Sequence, residues 1–128
     1  MFRVNEEDNS IYLTRGDVAS FYAAATDQNG EDVTFQPGDV VRLNVHAKKD
    51  CSNVVLAKDF HVKAETKKVE IFLSGEETKI GDTISKPKDY WYDLCLNPDT
   101  APQTFIGYGD DGPVLFQLYP EGEDREVE

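Results

Sequence analysis

Apolar residues along this chain recur at every second position in short runs, and no stretch keeps the three-to-four spacing of an amphipathic helix. The cleanest run is "VVRLNVHA" (40–47), with Val41, Leu43, Val45 and Ala47 on one face and Arg42, Asn44 and His46 on the other. In "KKVEIFLS" (67–74), Val69, Ile71 and Leu73 turn inward and Glu70 outward. In "YWYDLCL" (90–96), Tyr92, Leu94 and Leu96 stand opposite Trp91, Asp93 and Cys95. Each is the pattern of a half-buried strand. "IYLTRGDVASFYAAAT" (11–26) predicts two extended pieces, broken or bulged at Gly16. "VVLAKDFHVKA" (54–64) predicts two short pieces or one bent strand, and "TFIGYG" (104–109) and "VLFQLY" (114–119) predict a closing pair around "DDGP".

Turn chemistry separates these runs. Asn29-Gly30 supplies residues that tolerate positive φ, and Pro37-Gly38 marks a second turn. "GEETKIGDTISKPKD" (75–89) is the one segment with room for a single short helical or 3₁₀ turn. Seven to nine short strands with turns between them predict an all-β sandwich or barrel, because such strands need a facing sheet to bury their apolar side. The expected organisation is one domain over residues 1–120 and an acidic flexible tail, "EGEDREVE", over 121–128.

Composition narrows the function classes. With 39% hydrophobic and 30% charged residues, the chain has the make-up of a soluble globular domain and not of a disordered one. The formal net charge of −12 repels phosphate backbones and anionic lipid, so neither nucleic acid nor membrane is expected as a partner. The opening "MFRVNEEDNS" has no apolar h-region, which leads to the expectation of a cytoplasmic product. Charge is uneven: between Arg42 and Lys68, seven Lys or Arg stand against three acids. Such a stretch is either a solvated face or one half of a head-to-tail contact between copies, which makes a homo-oligomer one expectation.

Chemistry-bearing groups are few. His46 sits on the polar side of its strand, where a solvated imidazole is expected. His46, Cys51, His61 and Cys95 include zinc-type donors, but their spacing matches no usual zinc motif, so no metal and no cofactor is expected. "YGDDG" (108–112) offers only two side chains toward a calcium ion that needs six to eight oxygens, and a hairpin turn accounts for the same letters. No nucleophile–base pair is visible, and no catalytic residue is expected. Cys51 and Cys95 are expected as reduced thiols. Trp91 has two readings: a ring covering the sheet face opposite Tyr92, or, with Tyr108, an exposed platform for sugar or protein contact.

The tripeptide Arg15-Gly16-Asp17 is best known as an integrin-binding signal. Integrin use requires export, whereas a structural role needs only that glycine lets the chain turn while its neighbours bond backbone groups across the bend. The residues are therefore expected to form a structural turn.

In order along residues 10–119, "IYLTRGDVASFYAAATDQNGE", "DVVRLNVHA", "YWYDLCL" and "QTFIGYGDDGPVLFQL" resemble the small immunoglobulin-like domains of bacteriophage and prophage tail proteins. These include the N-terminal domain of baseplate upper proteins. Val18 stands where such domains usually carry Thr. The resemblance implies an immunoglobulin-like β-sandwich and a non-enzymatic role in assembling a phage particle, with other tail or virion proteins as partners and the virion as final location. No fibre or receptor-binding region follows in this sequence, which points to an accessory component. The alternative is a sandwich that binds carbohydrate or a cell surface.

Overall fold

The computed structural model describes residues 2–5, 7–27, 29–50, 52–107 and 113–121. Among these residues nine strands follow one another: β1 (Phe2–Val4), β2 (Ile11–Thr14), β3 (Ala19–Ala23), β4 (Val40–His46), β5 (Val54–His61), β6 (Val69–Leu73), β7 (Lys88–Leu96), β8 (Gln103–Ile106) and β9 (Val114–Tyr119). The fold is all-β. Seven strands form one sheet in the order β1-β2-β9-β7-β4-β5, with β8 also paired to β7, and β3 and β6 form a second, two-stranded sheet. The long β7 serves both partners on one edge: Lys88–Tyr92 pairs with β9 and Leu94–Leu96 with β8. β2 runs parallel to β9, while the other strand pairs are antiparallel.

Alternation places the core between the sheets. Val41, Leu43 and Val45 of β4 are fully buried, with Leu94 of β7, Phe116 and Leu118 of β9, and Ile71 and Leu73 of β6. Tyr90 and Tyr92 also point inward, and the Tyr92 ring meets Phe116 edge-on with centroids 6.1 Å apart. Two loop residues close the ends: Phe35 is fully buried against Phe105, and Ile80 is buried from the β6–β7 connection. Each such side chain contributes about 1.5–3 kcal/mol through removal from water.

The strand boundaries agree with the alternation in β4, β6, β7 and β9, and differ elsewhere for identifiable reasons. β2 and β3 do not pair with each other; the turn at Gly16 carries the chain from one sheet to the other. β5 is a single strand, and its irregularity is a bulge: Val54 stands opposite His46 and Leu56 opposite Val45, leaving Val55 as an extra residue. The 75–78 stretch is a hydrogen-bonded turn, and the described residues contain no helix. β1 is too short and too polar in its flanks to register as a strand pattern, and it exists through pairing with β2.

Candidate functional site

Among the described residues, a dense set of hydrogen bonds surrounds the Arg15-Gly16-Asp17 turn. Gly16 has φ 90°, a left-handed conformation that glycine adopts without strain. Its N–H donates to Thr78 Oγ1 at 3.0 Å, and the Thr78 hydroxyl donates to the Asp17 carbonyl at 2.8 Å. Thr78 is completely buried. It is held there by a capped turn in which Ser74 N–H donates to Glu77 Oε1 at 2.9 Å and Glu77 N–H returns to Ser74 Oγ at 3.3 Å. Gly75 permits the approach, since a Cβ there would lie 2.7 Å from the Gly16 carbonyl oxygen.

Arg15 is itself buried, with 8% exposure. Its guanidinium donates to the carbonyls of Ile80 at 3.3 Å and Gly81 at 2.6 Å, and to Glu121 Oε1 at 2.7 Å. A planar fork of donors can serve several acceptors at once, which an ammonium cannot do in the same plane. The cluster joins the β2–β3 turn, the β6–β7 connection and the chain beyond β9. The Arg15 side chain thus faces inward, and the backbone of Gly16 and Asp17 is tied to Thr78.

On the outer face of the large sheet, the β4–β7 register sets His46 beside Trp91 and Asn44 beside Asp93. His46 is buried, not solvated as its strand position suggested. Its Nε2 lies 2.7 Å from Asp93 Oδ2, and Asn44 Nδ2 donates to Asp93 Oδ1 at 3.1 Å. His46 Nδ1 is buried without a hydrogen-bond partner among the described residues. Trp91 is half-buried between its cross-strand neighbours His46 and Leu115, and Tyr108 lies outside the described residues. Further along this face, Arg42 donates to Asp59 Oδ1 at 2.7 Å and to Asp99 Oδ2 at 3.1 Å. These bonds raise the Arg42 pKa and hold Asp59 below the usual carboxylate range.

The outer face of the small sheet is barer. Val18 (58% exposed), Tyr22 (61%) and Phe72 (42%) project from it, around a Ser20–Glu70 hydrogen bond of 2.9 Å. Lys68 Nζ lies 4.6 Å from the centre of the Tyr22 ring, and Lys58 Nζ lies 5.4 Å from that of Phe72. Lys58 also donates to the Phe72 carbonyl at 2.8 Å and to Glu77 Oε1 at 2.7 Å. Burial alone would raise the Glu77 pKa; hydrogen bonds from Lys58 and Ser74 outweigh it and lower the pKa. Next to this face, β5 ends the large sheet, and no strand among those described lies along its outer edge. The bulge leaves both Val54 and Val55 exposed there.

The positive excess of residues 42–68 is not one patch. Arg42 and Lys58 are paired with carboxylates of this chain. Lys48 and Lys49 sit at the β4–β5 hairpin, and Lys63, Lys67 and Lys68 follow the far end of β5, an eight-residue strand about 25 Å long. His46 and His61 are likewise at opposite ends of the β4–β5 ladder. Among the described residues no three His, Cys, Asp or Glu side chains come together as a metal site. Cys95 is buried and free; Cys51 and the "YGDDG" segment lie outside the described residues, as do residues 122–128 of the acidic tail.

Sequence reasoning missed Thr78, the centre of the turn cluster, and no local signal marks it. The Ser74-x-x-Glu77 spacing that holds it is a readable capping pattern. No family model, curated protein or solved structure matches the chain.

Proposed function

We propose that this chain is a non-enzymatic assembly module of a phage or prophage particle, built on an immunoglobulin-like sandwich and made in the cytoplasm before joining the virion. The observation that carries the reading is the bare outer face of the β3–β6 sheet, where Val18, Tyr22 and Phe72 are exposed beside the open β5 edge with Val54 and Val55. Large apolar side chains gathered at a sheet face and edge suit contact with another protein. Strand order supports the immunoglobulin-like part: β2 parallel to β9, then β7, β4 and β5, facing β3 and β6, resembles that family's division of strands between two sheets. The turn that resembles the tail-protein motif is tied into the fold through Thr78 and Arg15, which fits a scaffold role for it. The partners in this reading are other tail or virion proteins.

The test is particle composition. Induced particles purified by density gradient are expected to contain the chain by mass spectrometry, and Tyr22→Glu with Phe72→Glu is expected to lower its incorporation while leaving the melting temperature of the isolated protein unchanged. Particles that lack the wild-type chain would overturn the reading.

A further inference from the structure

A second feature lies at the end of the sandwich, away from the β3–β6 face. A cleft of about 580 Å³ opens between the β3–β4 loop and the β7–β8 hairpin, a volume within the range of small-molecule sites. One wall carries Thr26, Asp27 and Asn29; the other carries Gln103, Thr104 and Phe105. Both walls are set in advance. Asp27 Oδ1 accepts the N–H of Asn29 at 2.8 Å and of Glu31 at 3.1 Å, Gly30 takes φ 80°, and Thr26 bridges to Asp32. On the opposite side, Gln103 and Thr104 are fixed by pairing with Leu96 and Cys95, and Phe105 leans on the buried Phe35 with ring centroids 5.8 Å apart.

The lining excludes several ligand classes. Among the described residues it contains no Lys, Arg or His, so a phosphate or carboxylate would find no counter-charge from them. The one carboxylate among the described lining residues, Asp27, already holds two backbone N–H groups and is by itself far short of a calcium shell. Two amides and two hydroxyls around the opening are poorly suited to a wholly apolar ligand, which would leave them unpaired. What these groups complement is a ligand rich in hydroxyls with an apolar face: the amides and hydroxyls can donate and accept at once, and Phe105, Leu96 and Val33 offer apolar surface beneath. We infer that the cleft is a binding site for a neutral saccharide unit. The site is distinct from Trp91 and needs no contribution from the assembly surface.

The experiment is an array of neutral and acidic oligosaccharides probed with the full chain, followed by nuclear magnetic resonance titration of the strongest neutral hit. Binding to neutral glycans is expected, with amide shifts confined to residues 25–33, 96 and 103–105. Asn29→Ala with Gln103→Ala is expected to weaken it at least about tenfold, the effect of roughly one lost hydrogen bond to a sugar hydroxyl, at an unchanged melting temperature. No signal on the array, signal on acidic glycans alone, shifts located elsewhere, or binding that survives the double substitution would each overturn the site. An extended peptide as the true occupant would appear as shifts along the Gln103–Ile106 backbone that ignore both substitutions, which also overturns it. Particle incorporation reads a different surface, so failure of either proposal leaves the other standing.

Discussion

Gly16 and Thr78 are 62 residues apart in the chain and share a 3.0 Å hydrogen bond in which the backbone N–H of one donates to the hydroxyl of the other. The same hydroxyl donates to the Asp17 carbonyl at 2.8 Å, so a single buried oxygen completes the turn between the two sheets. Thr78→Val, nearly the same shape without the hydroxyl, leaves these backbone groups short of a partner and is expected to destabilise by about 1–3 kcal/mol in denaturant unfolding. Thr78→Ser keeps the oxygen and is expected to retain most of the stability. A larger loss for Thr78→Ser than for Thr78→Val would show that the methyl group, not the hydroxyl, is what matters.

Backbone geometry at the same place gives a second prediction. Gly16→Val forces a β-branched residue to φ 90° and is expected to cost on the order of 1–3 kcal/mol. Gly75→Ala meets the Gly16 carbonyl oxygen at 2.7 Å and is expected to lower the melting temperature as well. Paired with Gly16→Val, it should add less than its own separate effect, since both displace the same contact.

Burial of Arg15 bears on adhesion. A guanidinium with 8% exposure, bonded to the carbonyls of Ile80 and Gly81 and to Glu121, is not presented to a receptor. The folded protein is expected not to compete for integrin in a solid-phase assay, whereas a synthetic peptide of residues 10–21 is free to do so. Arg15→Lys, which keeps the charge and loses the fork, is expected to cost about 1–3 kcal/mol.

Acid should weaken the fold through two carboxylates. Asp59 and Glu77 have folded pKa values below their ordinary 3.8 and 4.5, held down by hydrogen bonds from Arg42 and Lys58. Their contribution is complete above the unfolded values and is lost as pH falls through the folded ones, so the melting temperature is expected to decline from about pH 5 downward. Glu77→Gln should flatten part of that decline.

Alkali acts on Tyr92. Burial, with a smaller effect from Asp8, raises its pKa above the usual 10.0, and its hydroxyl donates to the Asn9 carbonyl at 2.6 Å. The unfolded state ionises first, so stability is full below the ordinary tyrosine value and falls as pH rises past it. Tyr92→Phe should remove this alkaline loss while costing about 0.5–1.5 kcal/mol near neutrality. Phenolate absorbance at Tyr92 appearing before unfolding would contradict the assignment.

These contacts also mark how far the sequence could be read. Val41, Leu43 and Val45 were legible because alternation is a local property, and their burial follows from which face meets the second sheet. Arg15 and His46 were not, because their surroundings come from distant segments. Ile80 and Glu121 reach Arg15 across 65 and 106 residues, and Asp93 reaches His46 across 47. The cleft was invisible for the same reason: Asn29 and Gln103 are unremarkable polar residues until the fold sets their loops on facing walls.

The parallel pairing of β2 with β9 has a mechanical consequence. Phe2 stands opposite Leu13 and Leu13 opposite Leu118, so Phe2 and the end of β9 lie at the same end of the sheet on either side of β2, about two strand spacings or 10 Å apart. Tension between Phe2 and Tyr119 would pull β1 and β9 away from β2 at the same end of the sheet and open their hydrogen bonds to it one after another, like a zip, instead of loading them together. The fold is therefore expected to yield at low force when stretched between these two points.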